Sequence, residues 1–199
     1  MRRFLMPSLM LCALLVCPMV ARAADKAPGI RGEIQMSMND AGDKIIDLAG
    51  VIPQAKYNWR PSKGVRSTAE VLLHVVQANY VIPMFMGAKP PLSMEELRTL
   101  DKSTTDKAKI TQMLKDSYEF ANQSIVNMGD AELDGEVDFF GNKMSKRAGL
   151  LGLASHSHEH LGQSIAYARM AGVTPPWTAR EQAEMAKKAA EKKASSGGK

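Results

Sequence analysis

The chain has 199 residues and four histidines, at positions 74, 156, 158 and 160. Three of them stand together in "ASHSHEHLGQ", which begins at Ala154. Neutral imidazole nitrogens bind several divalent metals, and two histidines one helical turn apart can chelate one ion. A helix turns about 100° per residue. With His156 set at 0°, His160 falls at about 40° and His158 at about 200°. His156 and His160 therefore share a face, and His158 points away from it. Gly149, Leu153, Tyr167 and Ala171 lie within about 60° of His156, so the shared face is the apolar one.

Two ligands do not close a site. The one remaining histidine, His74, sits in the apolar run Leu72-Leu73-His74-Val75-Val76. If its helix lies beside that of His156 and His160, three imidazoles meet inside the core. Burying them together without a partner is costly, which favours a bound cation. Two other readings stay open on spacing alone. One is a metal-free bundle with three structural histidines. The other is a solvent-facing metal site made by His158 and Glu159.

Other chemistries lack their residues. His158-Glu159 is followed by His160-Leu161-Gly162 and not by the second histidine of a zincin motif. There is no haem-attachment motif, nucleophile elbow or phosphate loop. Both cysteines, Cys12 and Cys17, lie near the N-terminus. That terminus reads as a signal peptide over residues 1–23. Arg2 and Arg3 precede an apolar run from Phe4 to Val20, and Ala21-Arg22-Ala23 forms the exit site. Cleavage there removes both cysteines, so no thiolate chemistry of its own remains. It also removes Arg2, Arg3 and Arg22, which lowers the formal charge from +5 to +2. A near-neutral protein offers no electrostatic argument for nucleic acid. No later apolar run is long enough to span a membrane. A periplasmic or secreted product is expected.

Helical spacing dominates the rest. Ile34, Met38, Ala41, Ile45 and Leu48 make one apolar stripe, with Gly50 at the expected stop. "IPQAKYNWRPSKG" is an irregular connection whose Tyr57 and Trp59 must cover an open end of the core. Ser67-Thr68-Ala69-Glu70 is a capping box that opens the helix of His74, expected to end between Pro83 and Gly87. Ser93 to Glu96 is a second box, for a short connecting helix. A third long helix starts near Thr105, with Ile110, Leu114, Ser117, Ala121, Ile125 and Met128 facing inward. "GEVDFFGNKM" suits a small hairpin. The fourth long helix spans about Ser145 to Ala171, with Gly172 at its stop and Pro175-Pro176 against a restart. The fold class expected is an all-α, up-down four-helix bundle with long connections, over residues 24–177. Residues 178–199 read as a polar helix and a disordered tail.

Two segments in order resemble the DinB superfamily of four-helix-bundle proteins. "WRPSKGVRSTAEVLLHVVQANY" is similar to its second-helix signature, with a W-x-P lead-in, a cap, and a histidine after an apolar run. "HSHEHLGQSIAYARMAGVTPP" is similar to its fourth-helix signature, H-x-x-E-H-x-G-Q-x-x-x-Y-x-R-x-x-G-x-x-P-P. The resemblance spans about residues 30–177. Ser157 and Leu161 stand where relatives often carry Asp and an aromatic residue.

The resemblance implies a divalent metal on His74, His156 and His160, the same three that helical phase selects. It also implies a metal that activates a small-molecule thiol for transfer or isomerisation, and a homodimer. Hydrolysis is the variant in which water replaces the thiol. Glu159, Gln163 and Tyr167 are the candidates for groups around the ligands or against substrate. A reading of a different class is a non-catalytic metal-binding or stress-associated bundle. Three imidazoles do not distinguish Zn, Ni, Fe and Mn.

Overall fold

The computed structural model describes residues 27–196, so the segment read as a signal peptide lies outside the described residues. The order is α1 (Gly29–Val51), α2 (Thr68–Phe85), a short α3 (Met94–Thr99), α4 (Lys107–Asn127), strands β1 (Glu136–Phe139) and β2 (Asn142–Ser145), α5 (Lys146–Met170) and α6 (Pro176–Ser196). Helices α1, α2, α4 and α5 form an all-α bundle around one core. No described helix is long and apolar enough to cross a membrane.

The stripes read from the sequence are the buried ones. Ile34, Met38, Ala41, Ile45 and Leu48 of α1, and Ile110, Leu114, Ala121 and Ile125 of α4, are all buried. Local signals set most boundaries. Ser67 and Glu70 make the reciprocal capping box of α2, and Ser93 and Glu96 repeat it for α3. The Asp106 carboxylate accepts from the Lys109 amide to start α4, two residues after Thr105, and the Ser145 hydroxyl caps α5. Gly172 takes φ +80° just past the α5 cap.

Two boundaries differ from expectation. Gly50 does not stop α1, which runs on to Val51. The stop is Ile52, held extended at ψ 125° because Pro53 disfavours helical backbone in the residue before it. Nor do the paired prolines prevent a restart, since α6 begins on Pro176 and includes Trp177. The first helical position has no use for its amide, so proline suits it.

The up-down order also breaks at one step. Asn79 of α2 meets Ser117 of α4, Tyr80 meets Phe120, and Pro83 and Met86 lie near Ser124 and Asn127. Partner numbers rise together, so α2 and α4 are parallel. In contrast, α1 runs against α4, with Asn39 on Asn122 and Arg31 on Ile125. Helix α2 likewise runs against α5, with His74 near His156 and Met86 near Gly149. The directions are up, down, down, up. The connection of residues 86–106 returns the chain to the end where α2 began. On the way it packs along α2 and carries α3.

Buried polar groups tie these elements. The buried Arg31 guanidinium donates to the Ile125 and Val126 carbonyls, both at 3.1 Å, and to Asp130 at 2.7 Å, so it closes the carbonyl end of α4. Tyr57 is fully buried and donates to the Ala49 carbonyl at 2.8 Å. The carbonyls of Tyr57 and Trp59 accept from the first amides of α2, at Ala69 and Thr68. The connection before α2 is thereby fixed to the helix that carries His74.

Gly42 allows a close approach of α1 and α4. A Cβ there would stand 2.7 Å from the Tyr118 ring, which is buried and donates to the Ser157 hydroxyl. A ring held on both sides cannot yield cheaply. Gly42→Ala should therefore lower stability by about 1–3 kcal/mol in urea unfolding, despite alanine's better helix propensity. An unchanged or raised midpoint would contradict the packing at this contact.

Candidate metal centre

Helix α2 supplies His74, and α5 supplies His156 and His160 one turn apart. The side-by-side packing of α2 and α5 brings the three together. The Nε2 atoms of His156 and His74 are 3.2 Å apart, and those of His156 and His160 are 3.1 Å apart. One ligand atom from each of the three lies within 4.8 Å of the others. His160 is buried, and His74 and His156 are half-buried. His158 is exposed on the far side, with its Nε2 3.4 Å from the Ser37 hydroxyl of α1.

Two side-chain amides decide where the ring protons sit. His74 Nδ1 lies 3.3 Å from Gln77 Oε1, and His160 Nδ1 lies 2.8 Å from Gln163 Oε1. Each amide is oriented by a second bond. Gln77 Nε2 donates to the Leu97 carbonyl at 2.5 Å. Gln163 Nε2 donates to the Tyr167 hydroxyl at 3.4 Å, and that hydroxyl donates to the Arg66 carbonyl at 3.1 Å. An amide whose nitrogen is engaged turns its oxygen to the ring, so Nδ1 of both histidines is the donor. The Arg66 Nη2 contact to His74 Nδ1, at 3.4 Å, is then a close approach of two donors. Both Nε2 lone pairs point at His156.

Such convergence is unfavourable among imidazoles alone. A proton on His156 Nε2 could satisfy only one of its two neighbours. His156 Nδ1 is buried with no hydrogen-bond partner among the described residues. Burial, reinforced by the neighbouring histidines and Arg66, pushes His156 down to about 3. Burial and then Arg66 hold His74 below the usual histidine range. At neutral pH both stay in the neutral form that ligates. A cation at the meeting point of three lone pairs removes the conflict. With metal–nitrogen bonds of about 2.0–2.1 Å, two ligands of one ion stand about 3.0 Å apart at a right angle and about 3.4 Å apart at the tetrahedral angle. The two spacings about His156 lie between these values, and the third pair, His74 and His160, lies within 4.8 Å, so the three donors stand near enough for one divalent ion to gather them.

The other sequence-derived candidates separate. Gln163 and Tyr167 join the site, and the Tyr167 ring also packs edge-on against Trp59 at 5.6 Å. Glu159 does not. It is exposed, with no hydrogen bond or ion pair among the described residues, because its place on the flank of the histidine face opens to solvent. Gln77 was not foreseen. Its sign in the sequence is a repeated offset, His74-x-x-Gln77 and His160-x-x-Gln163, one copy on each helix.

If these amides hold the lone pairs on target, Gln77→Leu and Gln163→Leu should each weaken divalent-ion binding about 10–100-fold, with Gln163→Glu restoring part of the loss. Competition against a chromophoric chelator measures this. Unchanged affinity in both leucine variants would contradict the role given to the amides.

The DinB superfamily model matches residues 38–164 of this chain. Among solved structures, a DinB-like protein from Bacillus cereus is similar with a TM-score of 0.62 at 24% identity, covering 72% of this chain and 93% of its own. A DinB-like protein from Bacillus subtilis gives 0.58 at 19% identity, covering 71% and 94%. A conserved protein from Enterococcus faecalis gives 0.59 at 12% identity, covering 73% and 98%. These likenesses are of fold. No curated protein matches the chain. The family match takes in α2, α4 and both ligand-bearing segments, and the chain belongs to the DinB superfamily.

Proposed function

We propose that this protein holds one divalent metal on His74, His156 and His160 and uses it to activate a water or thiol for transfer or hydrolysis on a small molecule. The observation that carries the reading is the convergence of the Nε2 atoms at 3.1–3.2 Å with two Nδ1 atoms engaged by glutamine oxygens. A bound divalent ion supplies Lewis acidity, which lowers the pKa of a water or thiol beside it. The chain's own part is to present three imidazole donors, fix the tautomers of His74 and His160, and offer an adjoining cleft. That cleft is lined in part by His74 and His156. The signal-like residues 1–23 extend the proposal to an exported protein, where the thiol must come from outside the chain.

A second reading, a non-catalytic metal-binding bundle, rests on one observation. No carboxylate is among the residues lining that cleft, so no side chain there is placed as a strong general base.

Elemental analysis after reconstitution with Zn, Ni, Fe and Mn tests the metal. About one ion per chain is expected for the wild type and for His158→Ala, and none for His74→Ala. A metal-free wild type, or loss of the ion in His158→Ala, would overturn the assignment. A metallated protein with no turnover across a panel of thiols, esters and electrophiles would favour the binding bundle.

A further inference from the structure

The cleft beside the histidines has a volume of about 390 Å³ and a graded wall. His74, Gln77, His156 and Arg98 are its polar lining, and Phe85, Phe139 and Phe140 are its aromatic lining. These groups occupy opposite ends. Gln77 Nε2 is bonded to the Leu97 carbonyl, which places α3, the element that carries Arg98, beside Gln77, one helical turn from His74. Phe85 is the last residue of α2. It lies about 16 Å along the helix from His74 by helical rise. Ala78, Val81 and Ile82 line the path between them.

The far wall is built at a conformational cost. The β1–β2 hairpin turns through Phe140 and Gly141, at φ 53° and 83°. Both central residues of such a turn need positive φ, and asparagine or glycine usually takes the first place. Phenylalanine there is strained, because its Cβ crowds the carbonyl oxygen that follows. Its ring is 68% exposed, yet it stands 4.6 Å from the Phe85 ring and 4.8 Å from the Phe139 ring, on the cleft. Strain held for an exposed aromatic ring points to contact with something absent. At the other end, Arg98 is exposed and has no ion pair or hydrogen bond among the described residues.

We propose that this cleft binds an elongated small-molecule amphiphile, with an anionic head such as a carboxylate on Arg98 beside the histidines and an aromatic or acyl tail against Phe85, Phe139 and Phe140. The proposal deepens the reading above by naming the substrate class of the same site.

Isothermal titration of the purified protein, metal-free and metal-loaded, with 6-phenylhexanoate, 6-phenylhexanamide and acetate tests it. In both forms the carboxylate should bind more tightly than the amide, and acetate should bind at least about a hundredfold more weakly than 6-phenylhexanoate. Arg98→Gln should weaken the carboxylate about tenfold and leave the amide unchanged. Phe140→Asn keeps a residue that tolerates positive φ and removes the ring, so it should weaken carboxylate and amide alike, several-fold. The metal content of both variants should match the wild type, and neither should melt at a lower temperature. Equal affinity for carboxylate and amide, no effect of Arg98→Gln, or no saturable binding of 6-phenylhexanoate would overturn the proposal. Binding that persists in a protein unable to hold metal would uphold the cleft and sink the metal reading. A loaded metal without carboxylate binding would do the reverse.

Discussion

Two imidazole lone pairs, those of His74 and His160, are aimed at the Nε2 of a third ring, His156, which cannot satisfy both, and the rest of this site answers that constraint. The chain does not relieve it by turning a ring. Gln77 and Gln163 hold the Nδ1 protons of His74 and His160, and burial keeps His74 and His156 neutral. The convergence of the nitrogens and the burial of their rings are unfavourable for histidines left to themselves, and the whole arrangement suits a divalent cation.

The constraint reaches into the fold through the anchors of the two amides. Gln77 is oriented by the Leu97 carbonyl, which belongs to the connection that carries the chain back along α2. Gln163 is oriented through Tyr167 by the Arg66 carbonyl, just before the α2 cap. The connection before α2 and the one between α2 and α4, which makes those two helices parallel, therefore supply the carbonyls that orient the amides. The same connection brings Arg98 to the cleft, and the hairpin between α4 and α5 brings its aromatic wall. The helices place the donors, and the irregular segments orient and surround them.

What could be read from the sequence was local. Helical phase separated His158 from His156 and His160, because rotation per residue is a property of the helix alone. Capping boxes at Ser67 and Ser93 marked helix starts for the same reason. Nonlocal geometry was not legible. The role of Gln77 depends on a carbonyl twenty residues away in sequence. The parallel step from α2 to α4 depends on how a connection packs. Glu159 was a reasonable candidate by spacing, yet it faces solvent. Gly50 does not stop α1 and Pro176 does not bar α6, because Pro53 sets the end of α1 and the first turn of a helix accepts proline.

The most direct measurement is X-ray absorption at the metal edge of the protein loaded with one divalent ion. Three imidazole nitrogens at about 2.0–2.1 Å are expected for a zinc-loaded sample, whereas His74→Ala should retain no zinc at the site. A shell dominated by carboxylate oxygens, or one with three imidazoles undiminished by His74→Ala, would contradict the three-histidine centre.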